Sequence, residues 1–165
     1  MKDQFTFYII AMRRKDKEIT DKSIIKDILS KSEICRIALL DGDLPYIVPL
    51  NYGFYENALY FHSARVGRKI DLIRKNNRVC FEIEYAQEII KDAQACNWTA
   101  RYRSVIGYGK IEILTDPGQK KNGLDIIMAH YGKTSGNQYI EENMERMVIL
   151  KLTIDEISGK QSGEW

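Results

Sequence analysis

Leu59-Tyr60-Phe61-His62-Ser63-Ala64-Arg65-Val66-Gly67-Arg68-Lys69-Ile70-Asp71-Leu72-Ile73-Arg74-Lys75-Asn76 changes character in the middle. Leu59, Tyr60 and Phe61 suit a pleated, half-buried surface and predict a strand. Ile70 and Ile73 are three apart with Leu72 beside them, which gathers apolar side chains on one side of a helix. The residues from Ser63 to Gly67 predict a tight turn between the two. A strand that enters a helix through such a turn leaves backbone N–H groups without partners at the positive end of the helix dipole. Ser63 adds a hydroxyl, and Arg65, Arg68 and Lys69 add positive charge. The stretch therefore predicts an anion site, most simply a phosphate grip. A plain solvated helix start that happens to be basic is the alternative reading.

Upstream, Thr20 as N-cap and Asp21 open a predicted helix whose stripe is Ile24, Ile25, Ile28 and Leu29. Ile34 to Leu40, the turn Asp41-Gly42-Asp43, and Pro45 to Tyr52 read as a hairpin. Pro45 and Pro49 cannot donate to a ladder, so the second strand is expected at an edge, at a strand end or with a bulge near Val48–Asn51. Downstream, Arg78 to Glu84 alternates as a half-buried strand, and Tyr85 to Asn97 reads as a loop. Tyr102 to Leu114 would run about 43 Å if straight, so Gly107 and Gly109 are expected to mark a bulge or corner. Asp116-Pro117-Gly118 starts a helix carrying Leu124, Ile127, Met128 and Tyr131, which Gly132 ends. Residues 133–146 are polar and read as loop or short helix. Met147 to Ile154 is a last apolar strand, followed by a polar tail that ends in Trp165.

Five or six strands, mostly joined by hairpins with helices between, predict an α+β, mainly β fold: an antiparallel sheet curved toward a small barrel. Residues 1–11 read as an N-terminal extension and 12–165 as one domain. At 165 residues the chain can bury a core without staples. A net charge of +2 is too near neutral to predict nucleic-acid binding. Cys35, Cys80 and Cys96 are three in number and form no CxxC pair, so neither a disulfide framework nor a zinc site is expected. With no apolar run long enough for a membrane span and no signal-like start, the expected location is the cytoplasm.

Among the residues that could carry chemistry, His62 ends a strand beside the anion turn. A cofactor contact, a general acid and an axial metal ligand are the roles open to it. His130 lies on a helical stripe and is expected to be structural. Trp98-Thr99-Ala100-Arg101-Tyr102-Arg103-Ser104 interleaves rings, guanidiniums and hydroxyls, as an edge strand would, or as a wall for a phosphate and a flat ring. GxSxG, P-loop and GxGxxG signatures do not occur.

Four motifs occur here in one order: Tyr46-Ile47-Val48-Pro49-Leu50-Asn51-Tyr52-Gly53, Tyr60 to Ala64 with Gly67-Arg68-Lys69, Ser104 to Lys110, and Gly159-Lys160 before Trp165. With them the chain resembles the pyridoxamine 5'-phosphate oxidase-like, flavin-binding split-barrel superfamily, and within it the nitroimidazole-resistance (Nim) family. The resemblance implies a six-stranded antiparallel split β-barrel with a few flanking helices. It implies a homodimer with a flavin at the interface: FMN, with FAD and then haem as alternatives. Val48, Pro49, Leu50 and Asn51 would meet the ring edge. His62, Ser63, Ala64, Gly67 and Lys69 would meet the phosphate side. Trp98, Arg101, Arg103 and Ser104 would complete the pocket, with the partner chain as one source of them. His62 and Tyr102 are the candidate proton donors, and no protein metal site is expected. The implied function is flavin-dependent reduction of nitroaromatic compounds such as 5-nitroimidazoles; a non-catalytic flavin or haem carrier is the alternative. True pyridoxamine phosphate oxidases end in an Arg-x-Leu-like pattern. This chain ends Gly163-Glu164-Trp165, so pyridoxamine phosphate is not the expected substrate.

Overall fold

A computed structural model describes residues 7–10 and 12–165. Among these residues nine strands form one sheet, ordered β4-β3-β7-β8-β9-β6-β5 along its main path. Six are long: β3 (Ile34–Asp41), β4 (Leu44–Asn51), β6 (Ala58–Ala64), β7 (Arg78–Ile90), β8 (Thr99–Leu114) and β9 (Met147–Ser162). The other three, β1 (Tyr8–Ile9), β2 (Glu18–Ile19) and β5 (Gly53–Tyr55), hold two or three residues each. The six long strands of a split barrel are therefore present with three short additions, and the ladder does not close. β4 and β6 come near one another across the opening without hydrogen bonding. All pairings are antiparallel except that of β1 with β9.

Among the described residues four α-helices pack around the sheet: α1 (Lys22–Lys31), α2 (Arg68–Lys75), α3 (Pro117–His130) and α4 (Glu141–Glu145). Apolar residues fill the interior: Ile25 and Leu29 from α1, Ile70 and Ile73 from α2, and Ile37, Phe61, Phe81, Ile83, Val105 and Leu150 from the strands. A smaller cluster, Ala58, Tyr60, Ile127 and Ile149, lies under α3. α3 can approach closely because Gly53 lacks a side chain. A Cβ there would stand 2.7 Å from backbone atoms of Ile126 and Ile127.

Several expectations change. Asp21, not Thr20, caps α1, accepting from the Ser23 N–H at 2.8 Å. β4 is an edge strand, as its prolines require, but pairs with β3 without a register shift, so no bulge forms at Val48–Asn51. The edge alone satisfies both prolines. The irregularity expected at Gly107 and Gly109 falls in the β8–β9 ladder beside Gly109, but the extra residue, Asp155, is on β9. The segment read as a loop from Tyr85 is instead strand as far as Ile90, paired with Thr99 and its successors. The tail read as polar continues β9 to Ser162, because Gly159 packs under Ile19 and Ile25. Of the stretch read as an extension, Phe7 is buried in the core, and Tyr8–Ile9 pairs with Glu156–Ile157. Residues 1–6 and 11 lie outside the described residues.

Candidate functional site

The strand, turn and helix expected over residues 59–76 all form. β6 ends at Ala64 and α2 starts at Arg68. Gly67 makes the turn at φ +118°, a conformation that L side chains rarely adopt. No side chain among the described residues caps the start of α2. Its first N–H groups therefore face outward at the positive end of the dipole.

These residues form one wall of a cleft of about 870 Å³ at the sheet's open side. His62, Ser63, Ala64, Gly67 and Lys69 line it from β6 and α2; Pro49, Leu50 and Asn51 line it from β4. Val48 does not line it; its side chain packs against the core. Trp98, Arg101, Tyr102, Arg103 and Ser104 stand on or just before β8 and do not line this cleft within one chain. There the Arg101 and Arg103 guanidiniums lie 5.3 and 4.3 Å from the Trp165 ring centre, and Lys160 sits over the Tyr102 ring. The Trp98 indole donates to the Asp92 carbonyl at 2.7 Å.

Adjacent cations at the helix start have different fates. Arg68 donates to Asp41 at 2.6 and 2.8 Å and lies 4.5 Å from the Tyr46 ring centre. Lys69 meets no carboxylate within ion-pair distance among the described residues. Partial burial lowers the Lys69 pKa from its ordinary value. The His62 ring is open to the cleft, yet protein on its flank strips enough hydration to lower its pKa, and the Lys69 charge lowers it further. Two groups that would gain from a nearby negative charge thus stand beside an uncapped helix start. His130, by contrast, is structural: its Nε2 lies 2.7 Å from the Ser32 carbonyl oxygen, and its ring packs on Tyr52.

The opposite wall was not foreseen. Gln138, Tyr139, Ile140, Asn143, Met144 and Met147 line it, with Leu124 from α3. A signal was available, since Ile140 and Met144 in the polar segment and Met147 at the start of β9 keep i, i+4, i+7 spacing. α3 pins this strap at two places. The Asp125 carboxylate accepts from Asn137 at 2.9 Å and from the Tyr139 hydroxyl at 2.8 Å. Burial and that carboxylate push the Tyr139 phenol up to about 12. Buried Lys120 donates to the carbonyls of Met144 and Met147. Arg65 adds a bond to the Glu145 carbonyl at 2.9 Å.

No group of three or more His, Cys, Asp or Glu residues that could hold a metal occurs among the described residues. Nor is any helix among them long and apolar enough to cross a membrane.

An opened, mainly antiparallel barrel with an anion-ready cleft at its mouth defines a class of small split-barrel proteins. The chain belongs to the pyridoxamine 5'-phosphate oxidase family, whose model matches residues 21–161. It is similar to a protein of Bacteroides thetaiotaomicron VPI-5482 named for a proposed role in 5-nitroimidazole antibiotic resistance. Identity there is 32%, coverage 87% of this chain and 85% of that one, and the TM-score 0.77. The fold is shared with the flavocytochrome Anf3 of Azotobacter vinelandii, at 18% identity, 93% and 73% coverage and a TM-score of 0.81. It is shared too with a FAD and heme binding protein of Mycobacterium smegmatis, at 19% identity, 90% and 75% coverage and a TM-score of 0.80. A curated relative, Uncharacterized protein RA0666 of Rhizobium meliloti (strain 1021), is 38% identical over 56 residues, 34% of this chain and 36% of that protein. The match thus spans only about a third of that relative's length.

Proposed function

We propose that this protein is a flavin-dependent oxidoreductase, with FMN as its cofactor, that reduces nitroaromatic compounds of the 5-nitroimidazole type. The observation that carries the reading is the uncapped start of α2, with Lys69 and His62 beside it at one end of an 870 Å³ cleft. That arrangement fits a phosphate on a larger, partly apolar ligand. Family membership supports a flavin, and similarity to the nitroimidazole-resistance protein supports the substrate class.

A bound flavin supplies reversible electron transfer to and from small molecules. This chain's residues supply the rest. Lys69, Ser63 and the α2 N–H groups hold the phosphate. Pro49, Leu50 and Asn51 offer an edge-strand backbone to the ring, and Ile140, Met144 and Met147 exclude water from the far wall. His62 is the proton donor that a single chain brings to the cleft; Tyr102 would have to come from a partner.

A homodimer belongs to the same proposal. Ile47, Ala38, Cys80 and Tyr108 are cross-strand neighbours on the outer sheet face. Leu40 and Ile106 flank that row, and both are exposed. An apolar sheet face of this kind suits a second copy of the chain.

The test is to denature the purified protein and identify the released cofactor. Photoreduced protein is then mixed anaerobically with metronidazole, and reoxidation is followed by absorbance. Released FMN and stoichiometric reoxidation are expected. A colourless protein that binds no added flavin would overturn the reading. Released flavin without reoxidation would favour a carrier, and a Soret band would favour haem held by His62.

A further inference from the structure

We propose that Asn51 reads the imide edge of the flavin ring as a hydrogen-bond acceptor, and that Tyr131 is the positioning residue that holds it so; this rests on the flavin reading above.

A tyrosine hydroxyl donates once and accepts at two lone pairs. The Tyr131 hydroxyl donates to the Glu33 carbonyl at 2.5 Å. It accepts from the Asn51 side-chain amide at 3.2 Å and from the Tyr52 backbone N–H at 3.3 Å, so all three positions are filled. Asn51 Nδ2 also approaches the Glu33 carbonyl at 3.4 Å. Turning the amide over would set its oxygen against that carbonyl oxygen, and the Tyr131 proton, already given to Glu33, could not relieve the repulsion. The network therefore fixes which end of the amide is spent.

What remains is Asn51 Oδ1, an acceptor on an exposed residue that lines the cleft. Oxidised isoalloxazine carries a single ring N–H, at N3, and its other polar ring atoms accept. An amide that can only accept therefore selects N3–H. An amide free to turn would serve the flanking carbonyls equally well. Tyr131 lies just past the end of α3, the helix that Gly53 lets lie against β5, so its hydroxyl is placed by packing remote from the ligand. Asn51 sits on β4 across the cleft opening from β6, which carries His62. Phosphate and imide would then be held by opposite sides of one opening.

The test measures dissociation constants of FMN and of N3-methyl-FMN by flavin fluorescence for wild type, Asn51→Ala and Tyr131→Phe. Wild type is expected to prefer FMN by about tenfold, the worth of one such hydrogen bond. In both variants the preference should shrink to within about twofold. The ratio is insensitive to a general loss of stability, because both flavins need the same folded protein. Equal binding of the two flavins by wild type overturns the proposal and leaves the flavin reading intact. So does an undiminished preference in Asn51→Ala. A preference lost in Asn51→Ala but kept in Tyr131→Phe overturns the role of Tyr131. Failure of wild type to bind either flavin removes the flavin reading and this inference with it.

Discussion

The two walls of the cleft are built by opposite means. The β6–α2 wall is made of consecutive residues whose turn and helix are local, and its strand is held in the sheet by ladders to β5 and β9. The strap from Asn137 to Met147 holds one helix of five residues and is kept in place mainly by side chains from α3. The first wall is held by ladder and helix hydrogen bonds, apart from the uncapped N–H groups at the start of α2. The second is only as firm as a few polar bonds, each worth about 1 kcal/mol. Where both kinds of wall meet one ligand, the local wall suits fixed recognition and the pinned wall suits entry and release.

The largest effect should come from the local wall. Lys69→Ala is expected to weaken FMN binding by about 10- to 100-fold, the range for a charge-assisted hydrogen bond to phosphate. Unchanged affinity in a fluorescence titration would detach Lys69 from the grip. Next comes the pinned wall. Lys120→Met leaves two carbonyls without their donor and is expected to cost about 1–3 kcal/mol in chemical denaturation. Amide exchange should quicken across residues 138–147 and not across β6; uniform quickening would erase the contrast between the walls.

A smaller effect is a pH slope. The folded-state pKa of His62 is lowered, so the unfolded chain binds more protons through this group. Its neutral form therefore contributes stability that is present above the unfolded pKa, near 6.5, and is lost as pH falls toward the folded value. His62→Asn should flatten that acid-side slope; an unaltered slope in urea titrations would show that His62 carries none of it. The smallest effect is expected at Arg68→Gln. It breaks an exposed pair with Asp41, worth at most about 1 kcal/mol, and should barely change FMN affinity. A loss as large as that of Lys69→Ala would put both cations in the grip.

What could be read in the sequence follows the same division. The turn at Gly67 and the stripe of α2 announce themselves within a few residues. So does the capping of α3 by Asp116, which accepts from the Gln119 N–H at 2.9 Å. The strap did not announce itself, because Asp125 and Lys120 look like ordinary surface residues until α3 is folded against it. The side chain of Asn51 is held by Tyr131, eighty positions away, and no local pattern links them. Strand lengths failed for a related reason. Residues 85–90 and 158–162 are polar or mixed in composition, and they become strand because partners already in the sheet continue past them. The bulge expected beside Pro49 failed differently: proline constrains the backbone but does not say which remedy is used.

Pro45 and Pro49 on β4 also bear on how copies of this protein can meet. A border strand normally invites a neighbouring chain to extend the hydrogen-bonded ribbon. Here each proline deletes an amide from that border, so an added strand could not zip along it. The proposed homodimer is thereby left to form by stacking of faces, which closes after two copies, and not by open-ended ribbons that grow into fibrils.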